Sequence, residues 1–225
     1  NIDYNHARAD QWPPEARFFV WLIMSGRGAG KTRNGSEFVR IRSKRSPRFA
    51  VIGRRISDIR QTLVEGESGL IRVCERARVE YEWEPSKRVF TFHNGSKAFF
   101  YSAEEPDSLR GPEHSDAWLD EPAHMPLIDE VWSNLLLGLR LGNDPRILAT
   151  STPVPTTWLK ELIAKPDTAL VRVSTYVNLD NLAPTFRQTV IDKYEGTRLG
   201  RQELHGEILE DVEGALWSGE LLEMA

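Results

Sequence analysis

Three short runs in this chain have residue types and spacings suited to one chemistry, the handling of a bound phosphate ester. The first is Ser25-Gly26-Arg27-Gly28-Ala29-Gly30-Lys31-Thr32, directly after the apolar run Phe18–Met24. A glycine-rich turn between a buried strand and a helix aims backbone N–H groups at an anion. Lys31 then reaches β- and γ-phosphates, and the Thr32 hydroxyl suits Mg²⁺. The usual pattern G-x-x-x-x-G-K-[ST] has Ser25 at its first position here, and Gly26 and Gly28 supply the flexibility one residue away. The second run is Asp120-Glu121, after the apolar Ala117-Trp118-Leu119. A carboxylate at a strand end suits the metal, and the next one can polarise an attacking water as a general base. An adjacent Asp-Glu pair separates ATP-hydrolysing motors from nucleotide kinases and many GTPases. The third run is Thr150-Ser151-Thr152, after Arg146–Ala149, where strand-end hydroxyls can sense a γ-phosphate and pass its presence on.

Hydrolysis also needs positive charge on the γ-phosphate in the transition state, where an arginine raises the rate about 10³–10⁵-fold. Arg27, inside the loop, and Arg110, in Asp107-Ser108-Leu109-Arg110-Gly111, are the candidates, with Arg140 a weaker third. Arg110 is placed to act on a neighbouring subunit's ATP. Gln11, beside Trp12, is a candidate for flanking the adenine base.

These residues must be held by a scaffold, and the pattern of apolar runs predicts it. Strands are expected at 18–24, 49–53, 78–83, 87–92, 96–102, 115–119, 146–151 and 169–174. Helices are expected at 31–42, after an N-cap at Ser57, at 127–139 and at 156–163. Asn94-Gly95 predicts a hairpin between two of the strands. Strand–helix alternation around a phosphate loop implies an α/β fold of the P-loop NTPase type. Its central sheet is mainly parallel and flanked by helices, with an antiparallel hairpin at one edge and a small C-terminal helical lid. With Lys31, Asp120, Glu121 and the basic first lobe it is expected to be an ATPase of the additional-strand, catalytic-glutamate class, with its ligand beyond the carboxyl ends of the strands. The texture changes from Asn178 onward. Residues 1–177 read as the ATPase core. Residues 178–225 read as the lid and linker, with one helix starting at Pro184 and another carrying Leu199, Leu204 and Ile208.

The 225 residues suffice for one α/β domain with a small appendage. No apolar run approaches the length of a membrane span, and the N-terminus is not a signal peptide. The lone Cys74 excludes an intrachain disulfide and fits a reducing cytoplasm. Net charge is −4 but unevenly spread: between Arg27 and Arg60 eleven basic residues face only Glu37 and Asp58, and after Arg201 every charged residue is acidic. A basic lobe of this kind suits a polyanion. The chain begins at Asn1 rather than Met and is expected to be part of a longer one.

Residues 21–32 resemble the Walker A region of the large terminase subunits of tailed bacteriophages and gene transfer agents. Pro85-Ser86-Lys87-Arg88, Ser102–Pro106, Leu109-Arg110-Gly111-Pro112, Leu119-Asp120-Glu121 and Tyr194–Leu204 resemble later segments of that family. The resemblance implies the ATP-hydrolysing motor of a DNA-packaging machine, with ATP and Mg²⁺ as cofactors. The implied partners are double-stranded DNA, the portal protein, the small terminase subunit and further copies in a homo-oligomeric ring, a pentamer in the family; no membrane is involved. It would work in the cytoplasm of an infected bacterium. By position, Ser25–Thr32 form the phosphate loop, with Arg27 and Lys31 its charged members. Thr32 and Asp120 hold Mg²⁺, Glu121 is the catalytic glutamate, Arg110 is the arginine finger offered to the next subunit, and Thr150–Thr152 is the coupling motif. No acidic cluster for a two-metal nuclease follows, so nuclease activity is not expected of this stretch. A helicase-like ATPase and a non-catalytic nucleotide-gated DNA-binding module are the alternatives.

Overall fold

Apolar runs too short for core helices and flanked by Gly, Pro or Ser become strands here, because both their faces can be covered. In a computed structural model, residues 8–209 are described. Among them, strands β1 (Val20–Ser25), β2 (Arg48–Gly53), β3 (Tyr81–Glu84), β4 (Val89–Phe92), β5 (Lys97–Ser102), β6 (Asp116–Asp120), β7 (Arg146–Ser151) and β8 (Thr168–Val173) form one sheet. Its order is β3-β4-β5-β2-β6-β7-β1-β8. The six strands from β5 to β8 are mutually parallel, and β3 and β4 add antiparallel at one edge. The expected edge hairpin is thus present, turning through Asn94 and Gly95, with Gly95 at φ 82°. β7 lies between β6 and β1, which is the additional strand of the expected class.

Side-chain alternation splits the core into two layers. Trp21, Ile23, Phe49, Val51, Trp118 and Leu148 face one side. That side is covered by helix α1 (Lys31–Arg42), by α2 (Ile56–Asp58) with its π-helical continuation Ile59–Val64, and by α3 (Leu70–Arg76). Leu22, Met24, Ala50, Ile52, Ala117 and Leu119 face the other side, under α4 (Ile128–Gly138) and α5 (Thr157–Ala164). Beyond β8, a 3₁₀ segment Thr175–Asn181 crosses the 177/178 boundary. Short helical pieces follow: α6 (Pro184–Phe186), a π segment Arg187–Ile191, α7 (Asp192–Tyr194) and α8 (Arg198–Glu203). Residues 210–225, with most of the acidic tail, lie outside the described residues.

Several boundaries differ from expectation. α3 has no counterpart among the expected elements, because seven residues between Gly69 and the turn at Ala77-Arg78 are too few to display a helical period. Arg78 has φ 54°, so the strand expected from residue 78 begins only at Tyr81. The N-cap at α2 is Arg55, not Ser57, whose hydroxyl bonds Asp58 Oδ1 at 3.1 Å. β1 runs two residues later than expected at its start and includes Ser25.

One contact sets the height of α1 over the sheet. A Cβ on Gly35 would lie 1.9 Å from Trp118 Cε2, so the helix backbone rests on the indole. In an open helix Gly→Ala stabilises by about 1 kcal/mol. Here we expect Gly35→Ala to destabilise by about 1–3 kcal/mol through overpacking, seen as a lower midpoint in thermal unfolding.

His114 leads into β6, is fully buried, and leaves both ring nitrogens without a hydrogen-bond partner. Burial, aided by Arg48, pushes its pKa down to about 4 from 6.5. Between these values the unfolded chain takes up a proton that the native one refuses, so stability falls as pH drops from 6.5 towards 4. The full effect is about 3 kcal/mol. His114→Phe, packed like the present ring against Tyr101, should flatten that slope in urea titrations run across this window.

Candidate active site

The ends of β1, β6 and β7 bring the three expected runs together. Ser25 closes β1 in register with Val173 and is buried, so it needs no left-handed backbone. The positive φ angles of the loop fall at Gly28 (75°) and Gly30 (99°), which explains why serine is tolerated at the first position. α1 starts at Lys31 with no side-chain cap and no acid in its first turn. Its N–H groups are therefore not quenched from within the helix. A cavity of about 1240 Å³ opens at this helix start, lined by Gln11, Gly30, Lys31, Thr32, Asn181 and Leu182 among others. Gln11 belongs to a 3₁₀ turn, Ala9–Gln11; its Nε2 lies 3.3 Å from where a Gly30 Cβ would stand. Thr32 sits half-buried in the first turn of α1, and Arg27 is exposed in the loop.

Lys31 Nζ sits in a nest of oxygens. It donates to Ser25 O at 3.0 Å and Gly26 O at 3.4 Å, and pairs with Glu121 Oε1 at 3.2 Å. Glu121 is held in the left-handed region at φ 54°, ψ 52°, which costs a non-glycine residue about 1–3 kcal/mol. Three bonds hold it there. Its N–H donates to Thr150 O at 2.7 Å, and its Oε2 accepts from the Thr152 N–H at 2.8 Å and Thr152 Oγ1 at 2.7 Å. Asp120 is held by Thr150, whose Oγ1 donates to Asp120 Oδ1 at 2.8 Å and accepts from Trp118 Nε1 at 2.9 Å. Burial, and then the neighbouring Glu121 charge, push the Asp120 carboxyl up to about 7 against the pull of Thr150 and Lys31.

The structure thus gathers Lys31, Asp120, Glu121, Thr150 and Thr152. Ser151 behaves differently: it pairs with Met24 in the sheet, and its buried hydroxyl donates to Thr152 O at 3.0 Å. Arg110 is also elsewhere. It follows a 3₁₀ turn, Pro106–Leu109, that packs on α4, across the sheet from α1. Its Nε lies 3.3 Å from Asn134 Oδ1 and 3.3 Å from Asp107 Oδ1, and its side chain is 72% exposed. Arg140 pairs with Glu113 at 2.6 Å. Sequence reasoning missed Trp118 as a hydrogen-bond donor, having read it only as an apolar strand position. It also missed Arg8, Thr175 and Asn178, which border the loop from distant parts of the chain. No motif marks such contacts.

Comparison with known proteins gives the geometry a lineage. Compared with curated proteins by sequence, the chain matches none. Among solved structures it is similar to the large terminase of a thermophilic bacteriophage in complex with ADP, with a TM-score of 0.71 at 17% identity. That match covers 86% of this chain and 49% of the other. The ATPase domain of the Thermus phage P74-26 large terminase matches with a TM-score of 0.63 at 18% identity, over 87% and 90% of the two chains. The bacteriophage Phi-29 viral genome packaging motor assembly matches with a TM-score of 0.54 at 16% identity, over 84% and 64%. These likenesses are of fold, and the chain spans about half the length of the ADP-bound terminase. A family model, described as terminase large subunit, T4likevirus-type, N-terminal, matches residues 22–224. With nearly its whole length inside that match, and with the P-loop fold that carries Lys31, Asp120 and Glu121 to one place, the chain belongs to the family of T4-like-virus-type terminase large subunits, in their N-terminal region.

Proposed function

We propose that the chain is the ATP-hydrolysing motor domain of a terminase large subunit, which translocates double-stranded DNA into a procapsid. The observation that carries the reading is the convergence of Lys31, Asp120 and Glu121 at the mouth of a glycine-rich loop, with Glu121 fixed by Thr152. ADP in the thermophilic phage's terminase and the packaging motor from Phi-29 support it.

An incoming triphosphate offers Lys31 anionic oxygens in place of two carbonyls and the Glu121 carboxylate. Glu121, released from the ammonium but still bonded to Thr152, is then free to accept a proton from water. Thr32 and Asp120 would hold Mg²⁺. Their hydroxyl and carboxylate are hard oxygen donors, and among the described residues no cluster of three His, Cys, Asp or Glu offers a tighter metal site. That fits an ion bound through one or two protein groups plus substrate phosphates. Mg²⁺, when bound, neutralises charge on the phosphate oxygens. Arg27 supplies charge from within the loop, and Gln11 borders the side of the loop where the base would lie. Thr150 and Thr152, bonded to the two carboxylates, couple the reaction to β7, with Ser151 as the buried link between them. Arg110 faces solvent, as a residue offered to a neighbouring subunit's nucleotide would. The ring of subunits, a pentamer, the portal protein and small terminase subunit as partners, and the cytoplasm of an infected bacterium as the setting, complete the reading.

Glu121→Gln should hydrolyse ATP at least about 100-fold more slowly. It should bind an ATP analogue as tightly or more tightly, because it no longer competes for Lys31. Phosphate release and analogue binding measure the two; wild-type turnover would sink the assignment, and binding without hydrolysis in the wild type with DNA present would favour a nucleotide-gated binding module.

Arg110→Ala should lose turnover by about 10³-fold while keeping nucleotide affinity. Mixing it with Glu121→Gln should recover activity in the assembled protein, since each mixed pair of neighbours can hold one intact site. An inert mixture would assign Arg110 to its own chain.

A further inference from the structure

Three consecutive carbonyls of the phosphate loop are each taken by a side chain from outside it. Thr175 Oγ1 donates to Arg27 O at 2.7 Å, Asn178 Nδ2 donates to Gly28 O at 2.6 Å, and Arg8 Nη2 donates to Ala29 O at 2.7 Å. The donors are themselves linked. Arg8 Nη1 and Asn181 Nδ2 both donate to Asn178 Oδ1, at 2.8 and 2.9 Å, and Asp10 orients the Arg8 guanidinium through two bonds of 3.0 Å.

In a planar trans peptide the C=O of one residue and the N–H of the next point to opposite sides. Fixing the carbonyls of Arg27, Gly28 and Ala29 outward turns the N–H groups of Gly28, Ala29 and Gly30 the other way. With glycines at two of these positions the peptide planes would otherwise be free to rotate, so a cradle left to itself would have to be ordered by its ligand.

Thr175 has a second attachment. Its N–H donates to Leu204 O at 2.7 Å, and Ser174 Oγ donates to the same carbonyl at 3.0 Å. Leu204 is the C-cap of α8. Gly206 then lies so close to the ends of β1 and β8 that a Cβ on it would stand 3.1 Å from Val173 O and 3.5 Å from Met24 O. One buried threonine therefore touches the phosphate loop with its hydroxyl and the end of α8 with its backbone.

We infer that Thr175, Asn178 and Arg8 are positioning residues that preset the phosphate loop for its anion, and that Thr175 ties the loop to the segment Arg198–Glu207. The inference rests on the nucleotide-site reading above. Each removed bond should weaken binding of ATPγS with Mg²⁺ about five- to tenfold, the net worth of one buried hydrogen bond.

The test uses the full chain. Thr175→Val keeps shape and removes the hydroxyl, Thr175→Ser restores it, and Asn178→Ala reports on a less buried member should Thr175→Val fail to fold. Equilibrium binding of ATPγS should weaken in Thr175→Val and Asn178→Ala and return to within about twofold of wild type in Thr175→Ser. A merely structural role would not be rescued in this way. Amide exchange should slow at residues 204–207 when ATPγS is added to the wild type, and this response should vanish in Thr175→Val. Unchanged affinity in both variants, or exchange at 204–207 that ignores ATPγS in the wild type, overturns the inference. A wild type that binds no nucleotide overturns the underlying reading instead.

Discussion

The indole of Trp118 fixes the geometry on which the whole site depends. Its ring lies directly under the backbone of α1 at Gly35, and its N–H donates to Thr150, whose hydroxyl donates in turn to Asp120. The helix that begins at the phosphate loop therefore rests directly on a side chain of the strand that ends in Asp120. A rigid, close-packed interior transmits such a spacing without slack. Lys31 opens that helix and Glu121 directly follows that strand, and the two side chains meet at 3.2 Å.

Electrostatics completes what packing begins. Two adjacent carboxylates at a buried strand end repel one another, and burial alone drives Asp120 towards its neutral form. The hydroxyls of Thr150 and Thr152 divide the pair, one to each acid, and Lys31 supplies a nearby cation that both feel. Much of the basic run after the loop is spent in the same way inside the domain. Arg33 and Arg40 share Glu37, and Arg42 pairs with buried Asp116, which Ser46 also contacts. The basic lobe expected from composition is thus partly internal scaffolding.

How much of this could be read in the sequence differs by element. The central strands β1, β2, β6 and β7 were legible because both of their faces are buried, and a mostly apolar run of that length carries the information by itself. The loop and the Asp-Glu pair were legible because phosphate and metal chemistry restrict residue types at close spacing. α3 was not, because its helix is too short for its period to show. Ser57 misled because a serine near the start of a helix resembles a cap even where the true cap, Arg55, lies two residues earlier. The hydroxyl of Ser151 was grouped with its neighbours, although strand alternation turns it to the other side from Thr150 and Thr152. Thr175, Asn178 and Arg8 left no trace, for their bonds to the loop join residues separated by up to 150 positions.

β8 gives the fold a mechanical property as well as a chemical one. It is the outermost strand on its side, pairs with β1 over six residues in parallel register, and runs straight into Ser174 and Thr175. The bonds of a parallel ladder are evenly spaced along its length. A pull along β8 from the C-terminal segment would load all of them together in shear, where a pull at right angles would open them one after another. β1 is bonded by β7 on its far side, so the tension passes into the centre of the sheet rather than stripping its edge. The strand that ends at the phosphate loop is thereby the one that receives the load.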